Sequence, residues 1–280
     1  MNNQLNIICT SDSEYLPIAK TLLKSIALNS PGVNVYIRLV NCTEKQSSEV
    51  ASWYTNVTII NDNISLSTYR NKKSRQGNIL LQEFLHHGLK KHLTKTRGAR
   101  WLYSDKMAYC SNIKFATVNT LLQDGIDHLF YIDLDSIVRK DLAPLYDRIN
   151  SDGLIFKTSK THEGDRLQER FPGKSIIYHG GMFGIVNTVE NKLIFNEMYN
   201  TILNDMYSWD ADEYVIYDTL NKYNAEVREL PRMYKDEGDY DHIIDDYIFN
   251  QSSAIWSGPA HIKYTSQNYV NESKNYNPDI

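Results

Sequence analysis

Two carboxylates placed two residues apart are the side chains of this sequence best suited to chemistry. Asp133 and Asp135 follow the apolar run 129–132, Leu-Phe-Tyr-Ile. Such a run is typical of a strand buried on both faces of a parallel sheet, and ligands bind at the carboxyl edge of such sheets. Two carboxylates in a partly dry site repel each other unless a cation lies between them. The pattern predicts a Mg²⁺ or Mn²⁺ site for a phosphorylated substrate, although two turn-capping Asp residues would look the same.

A second acidic group lies further along the chain, beside an aromatic ring. Asp210, Asp212 and Glu213 follow Trp209 and lead into an amphipathic segment. Acidic residues are also favourable at a helix N-terminus, so one of these carboxylates can be purely structural. Three carboxylates exceed what a helix cap needs, and the indole offers a flat face to a pyranose ring. The group therefore favours a sugar-binding site.

A glycine pair precedes a predicted strand in the second half of the chain. Gly180 and Gly181 follow His179 and lead into the run 182–186. Glycines let a backbone approach a ligand where any Cβ would clash. A glycine-rich strand entry that binds no ligand is an equal alternative. His179 is also a weak candidate for a metal ligand.

The elements that position these residues begin with a βαβαβ order. Strands are predicted over 5–10, 33–40 and 57–60, with helices from about Leu16 and over 46–53. Pro17 falls in the first turn of the first helix, where proline is tolerated, and the segment 29–32 ends that helix. This order is typical of a nucleotide-binding half-sheet.

The rest of the chain alternates between helices and strands. We predict a polar loop over 61–75, a helix over 80–93 and a long helix from Ser104 to Asp124 that leads into the Asp133 strand. Strands follow over 153–157, 182–186 and 225–230, with a helix over 190–205 and a loop-like stretch from Trp256. No internal repeat or linker interrupts the chain, so we expect one compact α/β domain.

Composition narrows the class of protein further. The chain has 280 residues and a formal net charge of −4, which argues against a binder of nucleic acid. No apolar stretch approaches the roughly 18 residues that span a bilayer, and residues 1–4 lack the features of a signal peptide. Cys9, Cys42 and Cys110 are widely spaced and odd in number, which indicates a reducing compartment. We expect a cytoplasmic protein without a membrane anchor.

The order of these parts resembles the GT-A-fold glycosyltransferases, which use nucleotide-sugars and carry a DxD metal motif. The resemblance spans most of the chain and is most specific at 131–145, where an apolar strand, the Asp-x-Asp pair and an Asp-Leu-x-x-Leu tail follow a long helix. It implies a Rossmann-type mixed sheet flanked by helices. It also implies a donor-binding half over 1–140 and an acceptor-binding half over 141–280.

The resemblance assigns the donor-binding residues. The turn after the first strand would hold the nucleoside of a UDP-sugar through Thr10, Asp12 and Tyr15, with Asp12 and Tyr15 bonding and stacking the uracil. Lys106 and Lys263 would help to stabilise the diphosphate.

The resemblance also implies the metal ligands. Asp135 would bind Mn²⁺ or Mg²⁺ directly, and Asp133 would serve the ribose and the metal. Many of these enzymes add a C-terminal His, for which His261 is the candidate. It follows the Gly-Pro turn instead of preceding the glycine, so a surface-loop role is an equal alternative. His242 is a weaker candidate.

Catalysis requires a group that takes the proton of the acceptor hydroxyl. In an inverting enzyme an Asp or Glu does this, and Asp212 is the first candidate, with Asp210 and Glu213 behind it. The same residues resemble retaining galactosyl- or glucosyltransferases, in which Glu213 would lie beneath the anomeric carbon. Acceptor contacts are expected from His179, Gly180 and Gly181, together with Trp209 and Trp256.

Three further expectations concern substrates and competing functions. The chain resembles xylosyltransferases of large algal DNA viruses, which implies UDP-xylose as donor, a fucose-containing glycan acceptor and a location in the host cytosol. A nucleotide- or carbohydrate-binding protein on the same fold is one alternative. A nucleotidyltransferase is another, but residues 10–14 are acidic where its phosphate loop would be basic.

Overall fold

The computed structural model describes residues 4–65, 105–160, 176–206, 211–234, 253–256 and 267–279. The first part contains β1 (Asn6–Asp12), α1 (Leu16–Asn29), β2 (Asn34–Val40), α2 (Glu44–Trp53) and β3 (Val57–Asp62). Next come α3 (Asp105–Asn112), α4 (Lys114–Gln123), β4 (His128–Ile132), β5 (Ile137–Val138) and α5 (Ala143–Asp152). The last part contains β6 (Leu154–Lys160), β7 (Ile176–Val186), α6 (Val189–Asp205), α7 (Ala211–Lys222), β8 (Arg228–Glu229), a 3₁₀ turn (Arg232–Tyr234), β9 (Ile255–Trp256) and α8 (Gln267–Ser273).

The predicted βαβαβ opening is confirmed. β1 pairs in parallel with β2, and β2 with β3. Pro17 lies at the start of α1, where its missing N–H costs no hydrogen bond. At the start of α2, the Thr43 side chain accepts from the Gln46 amide while the Gln46 side chain accepts from the Thr43 amide. This reciprocal cap explains why α2 begins there.

One sheet joins seven of the strands in the order β3-β2-β1-β4-β7-β6-β8. The chain leaves β1 toward β2 on one side and later returns to β4 on the other side, in parallel with β1. β7 then runs antiparallel to β4, and β6 runs antiparallel to β7. The carboxyl ends of β1 and β4 therefore flank a topological switch point, where open α/β sheets bind ligands.

Helices cover both faces of the sheet. Successive residues of β4 alternate between two apolar clusters, with Phe130 and Ile132 in one and Leu129 and Tyr131 in the other. The first cluster includes buried residues of α1, α2 and α5, and the second includes those of α4, α6 and α7. This period of two is expected of a strand buried on both faces.

Several predicted elements differ from the structure. The long helix over 104–124 is two helices that meet at Ile113, with the Ile113 amide still bonded to Tyr109 O at 2.8 Å. The strand predicted over 225–230 is reduced to Arg228–Glu229, and β7 is longer than the predicted 182–186. α8 lies in the C-terminal stretch that we expected to be loop.

Some expectations fall outside the described residues, namely the helix over 80–93 and most of the loop over 61–75. Within the described part of the chain, none of the helices combines the length and apolarity that crossing a membrane requires.

Candidate active site

The candidate site lies at the carboxyl edge of the sheet, between β1 and β4. Asp12 ends β1, and Asp133 directly follows β4. Asp135 lies two residues further on, in the turn that Ser136 closes by donating its amide hydrogen to Asp133 O at 3.1 Å. The structure thus places the predicted DxD pair at the topological switch point.

The turn between β1 and α1 brings together four of the predicted donor-binding residues. Asp12 Oδ1 accepts hydrogen bonds from the amides of Glu14 and Tyr15, at 2.7 and 3.2 Å, so it holds the turn. Lys106 Nζ lies 3.4 Å from Asp12 Oδ2 and 2.8 Å from Glu14 Oε1. Thr10 Oγ1 is buried and has no hydrogen-bond partner among the described residues. A buried polar atom of this kind lacks the hydrogen-bond partner that such atoms normally have.

Asp133 is held against the backbone of β7. Its amide donates to Gly181 O at 2.8 Å. A Cβ at Gly181 would overlap Asp133 Oδ2, so only glycine leaves room for this carboxylate. Glycine at this position therefore shapes the edge of the predicted metal site.

Carboxylate oxygens at Asp133 and Asp135 are suitable ligands for Mg²⁺ or Mn²⁺. The described residues contain no group of three or more His, Cys, Asp or Glu side chains that could hold a metal. His261, the predicted third ligand, lies outside the described residues. The described residues thus offer at most two carboxylates as metal ligands, and oxygen ligands of this kind suit the predicted Mg²⁺ or Mn²⁺.

β7 carries a bulge where it passes the site. Phe156 of β6 pairs with Phe183, but the next residue, Lys157, pairs with His179. Gly180, Gly181 and Met182 therefore have no counterpart on β6. Bulges redirect the side chains and backbone of a strand, and this one directs the glycine pair toward β4 and α7.

A buried ion pair lies beside the first of these glycines. Lys114 Nζ is 2.6 Å from Asp212 Oδ2 and donates to Gly180 O at 2.8 Å. The Lys114 side chain is only 2% exposed, and its Nζ lies 5.3 Å from the centroid of the Tyr131 ring. A Cβ at Gly180 would overlap Asp212 Oδ2. Both glycines thus admit a carboxylate that any larger residue would displace.

Electrostatics connect the two carboxylates. Burial raises the pKa of Asp212, the Lys114 ammonium opposes this, and the charges of Glu213 and Asp133 add to it. Burial also raises the pKa of the Tyr131 hydroxyl well above its usual range, and Asp133 and Asp212 both contribute. The two carboxylates are therefore close enough to act on each other and on the same phenol.

Glu213 and His179 form a second pair at the same edge. Glu213 Oε1 lies 3.7 Å from His179 Nδ1, with the side chains 32% and 17% exposed. The Glu213 amide donates to Asp212 Oδ1 at 2.9 Å, in the first turn of α7. One short segment therefore contributes both a buried carboxylate and a solvent-accessible one.

The predicted role of Trp256 needs correction. We expected its ring to contact an acceptor sugar, but Trp256 is 1% exposed. β9 pairs with β5, and the indole packs 5.3 Å from the ring of Tyr269 in α8. A ring enclosed in this way has no free face for a sugar, so Trp256 is a core residue.

Five other candidate site residues lie outside the described residues: Trp209, Asp210, His242, His261 and Lys263. Sequence reasoning missed Lys114 altogether, although a signal was present. Lys114 shares a helical stripe with the buried residues Val118, Leu121 and Leu122. A lysine on such a stripe is rarely buried without a charged partner, which predicts an acidic side chain nearby.

The comparisons with known proteins show the fold. No protein-family model matches the chain, and neither does any curated protein. Among solved structures, the apo glycosyltransferase GlyE of Streptococcus pneumoniae is 12% identical with a TM-score of 0.58, over 97% of this chain and 60% of that one. The galactosyltransferase LgtC, in complex with donor and acceptor sugar analogues, is 12% identical with a TM-score of 0.52, over 97% and 96%. Apo mouse xyloside xylosyltransferase 1 is 11% identical with a TM-score of 0.50, over 92% and 98%.

These likenesses show a mixed α/β domain with the GT-A fold, which confirms the predicted fold class. The chain spans 60% of the GlyE chain and 46% of a bifunctional glycosyltransferase that it also matches.

Proposed function

We propose that this chain is an enzyme that transfers a sugar from a UDP-sugar to a hydroxyl group of a glycan. The observation that carries this proposal is the convergence of Asp12, Asp133 and the Lys114–Asp212 pair at the switch point of a GT-A sheet. Gly180 and Gly181 lie against these side chains and present only backbone atoms to them. The matching structures named above are all glycosyltransferases, which supports the same class of reaction here.

Asp133 and Asp135 are proposed to hold Mn²⁺ or Mg²⁺, with His261 as a further predicted ligand. When bound, such a cation neutralises the diphosphate as it leaves. Thr10, Asp12 and Tyr15 are proposed to bind the nucleoside, and the unpartnered Thr10 hydroxyl supports this. Lys106 and the predicted Lys263 would add positive charge.

Lys114 and Asp212 are proposed to bind the donor sugar. Asp212 was the first candidate for general base, but Oδ2 already accepts from Lys114 and Oδ1 from the Glu213 amide. Each carboxylate oxygen has a second lone pair, so it can still accept a hydrogen bond from a sugar hydroxyl. Taking up a proton would instead weaken the buried pair with Lys114. This arrangement favours binding over proton transfer.

Inversion at the anomeric carbon is the proposed course, with retention at Glu213 as the alternative. UDP-xylose is the first donor to test, and the likeness to a xyloside xylosyltransferase is its support. UDP-galactose is the second, because LgtC is a galactosyltransferase. The similarity to algal-virus enzymes stays a prediction.

A donor screen tests the proposal. Purified protein is incubated with each nucleotide-sugar and Mn²⁺, with and without EDTA, and free UDP is measured. We expect EDTA-sensitive UDP release from one UDP-sugar, increased by the correct acceptor. Binding of nucleotide without any turnover would indicate a binding protein instead of a transferase. Release of pyrophosphate would indicate a nucleotidyltransferase.

A further inference from the structure

One polar group at the candidate site is buried and has no role in the account so far. Tyr131 lies in β4, two residues before Asp133, and is 3% exposed. Its hydroxyl makes no hydrogen bond to any residue in the part of the chain that the structure describes. A buried hydroxyl normally has a partner, and a ring that only packs would be served as well by phenylalanine. A ligand at this place would supply the missing partner.

Neighbouring side chains hold the Tyr131 ring in place. Tyr131 pairs with Phe183 of β7, and the two rings stack with their centroids 5.1 Å apart and their planes 15° apart. Lys114 Nζ lies 5.3 Å from the centroid of the Tyr131 ring. Because the ring is already fixed by packing, its hydroxyl can bind a ligand with little further loss of side-chain freedom.

The Tyr131 hydroxyl lies near both carboxylates of the site. The pairing of β4 with β7 continues to the bond from the Asp133 amide to Gly181 O, so Tyr131 and Asp133 share one face of the sheet. Lys114, which contacts the Tyr131 ring, pairs with Asp212 at 2.6 Å. Burial raises the pKa of the Tyr131 hydroxyl, and the charges of Asp133 and Asp212 add to this effect. The hydroxyl therefore belongs to the same group of side chains as the Lys114–Asp212 pair.

The charges around the hydroxyl favour a neutral ligand that carries hydroxyl groups. The Lys114 ammonium already balances Asp212, and Asp133 adds a further negative charge. This side of the site therefore does not attract a second anion. A sugar hydroxyl can donate to a carboxylate, and it can both donate to a phenol and accept from it.

We propose that Tyr131 is a specificity-determining residue whose hydroxyl binds a hydroxyl group of the donor sugar, beside Lys114 and Asp212. This inference rests on the proposed function and adds a residue to its sugar-binding group. A site built to bond a substrate hydroxyl rejects an analogue that lacks it, because the polar groups of the site are then left unpaired. Tyr131 thus selects sugars that carry a hydroxyl group on the side turned toward β4.

Tyr131→Phe tests the inference, because it removes one oxygen and keeps the ring. We expect kcat/KM for the donor to fall by about 3- to 10-fold, the effect of losing one hydrogen bond. UDP-xylose is the first donor to use and UDP-galactose the second. The affinity for UDP with Mn²⁺ should stay unchanged, since UDP lacks the sugar.

Stability provides a second measurement on the same variant. The midpoint of urea unfolding should equal or exceed that of the wild type, because no hydrogen bond within the described residues is lost. Tyr199→Phe is the matched control, since Tyr199 is a half-buried tyrosine in α6. It should change neither kcat/KM, UDP affinity nor the midpoint.

The outcomes separate this inference from the proposed function. An unchanged kcat/KM in Tyr131→Phe, with an active wild-type protein, would overturn the inference alone. An equal fall in UDP affinity would assign the hydroxyl to the nucleotide instead of the sugar, and a midpoint clearly below that of Tyr199→Phe would assign it a structural role. Either result would also overturn the inference. Absence of turnover by the wild-type protein with every donor would overturn the proposed function, and this inference with it.

Discussion

At the scale of single residues, the site depends on two carboxylates that lie against glycines, in space that a larger residue at either glycine would fill. Asp133 and Asp212 occupy the space that Cβ atoms on Gly181 and Gly180 would fill. Asp212 is buried but paired with Lys114, whose ammonium also binds the backbone of Gly180. Burial of a charge is tolerated only with such a partner, so the lysine is as necessary to the site as the carboxylates.

Lys114→Met should therefore be strongly destabilising. It leaves the buried Asp212 without its counter-ion, and breaking a buried pair costs roughly 3–5 kcal/mol. Urea denaturation measures the loss. A second variant that also carries Asp212→Leu should regain much of the stability but no activity, because removing both partners avoids an unpaired charge. A single variant as stable as the wild type would show that the pair is not buried in this way.

Gly181→Ala should impair donor binding through Asp133. The added Cβ overlaps the Asp133 carboxylate and must displace it, so we expect the affinity for UDP with Mn²⁺ to fall by about tenfold or more, which corresponds to about 1.4 kcal/mol. Gly32→Ala is the matched control, because nothing lies within 4 Å of a Cβ there. Equal UDP affinities of the two variants would contradict the placement of Asp133.

At the scale of elements, α3 and α4 carry the site's two described lysines and are tied to the sheet through one acid. Asp62, the last residue of β3, pairs with Arg38 at 2.8 Å and accepts from Tyr109 Oη at 2.7 Å. Arg38 Nε in turn donates to Thr117 Oγ1 at 2.7 Å. This network connects β2 and β3 to both helices, and so helps to place Lys106 and Lys114.

Tyr109→Phe removes one link of this network. Because the bond is to a charged acceptor, we expect a loss of about 1.5–3 kcal/mol in unfolding free energy. Tyr199→Phe in α6 is a suitable comparison, since no hydrogen bond of its hydroxyl is found among the described residues. Thermal or chemical unfolding measures the stability of both variants. Equal stability would contradict a structural role for the Tyr109–Asp62 hydrogen bond.

The elements that sequence patterns predicted are those whose pattern is local. β1 and β4 each contain an uninterrupted apolar stretch, over 7–9 and 129–132, and α1 combines helical spacing with a proline start and a polar end. In each case the pattern and the residues that flank it lie close together in the sequence. The position of Asp133 at the carboxyl edge follows directly from the strand before it.

Two of the features that were missed depend on contacts between distant segments, and a third has no local sequence signal. The bulge of β7 is visible only when it pairs with β6, and Trp256 is buried because β9 pairs with β5 beneath α8. No proline or glycine marks the break at Ile113, whose amide still donates to Tyr109 O and whose carbonyl still accepts from the Thr117 amide. A short segment of sequence does not predict any of these properties.

At the scale of the whole molecule, the C-terminal segment 267–279 closes the domain on its first helix. Tyr269 covers Trp256 and is itself 1% exposed. Glu272 makes a two-pronged pair with Arg139, which follows β5. The Asn277 side chain donates to the Pro17 carbonyl at the start of α1. Segment 267–279 therefore stabilises α1 and the β5–β9 pair.

Deletion of 267–280 should destabilise the domain by at least about 3 kcal/mol, the usual cost of losing one large buried aromatic side chain. Lys20→Met is the control for the same surface. The ion-pair partner of Lys20 is Asp279, whose side chain is 78% exposed. Loss of this pair should therefore lower the free energy of unfolding by about 1 kcal/mol or less. Denaturant unfolding of both variants gives the comparison. A deletion no more harmful than the control would contradict the docking of this segment.

The central claim is that the edge of the sheet between β1 and β4 binds a nucleoside diphosphate together with a divalent cation. Calorimetric titration of UDP into the wild-type protein, first with Mn²⁺ and then with EDTA, tests it most directly. We expect binding with Mn²⁺, its loss with EDTA and in Asp135→Asn, and its retention in Asp127→Asn, an exposed acid before the other end of β4. UDP affinity that is the same with and without metal, or no binding under either condition, would contradict the account.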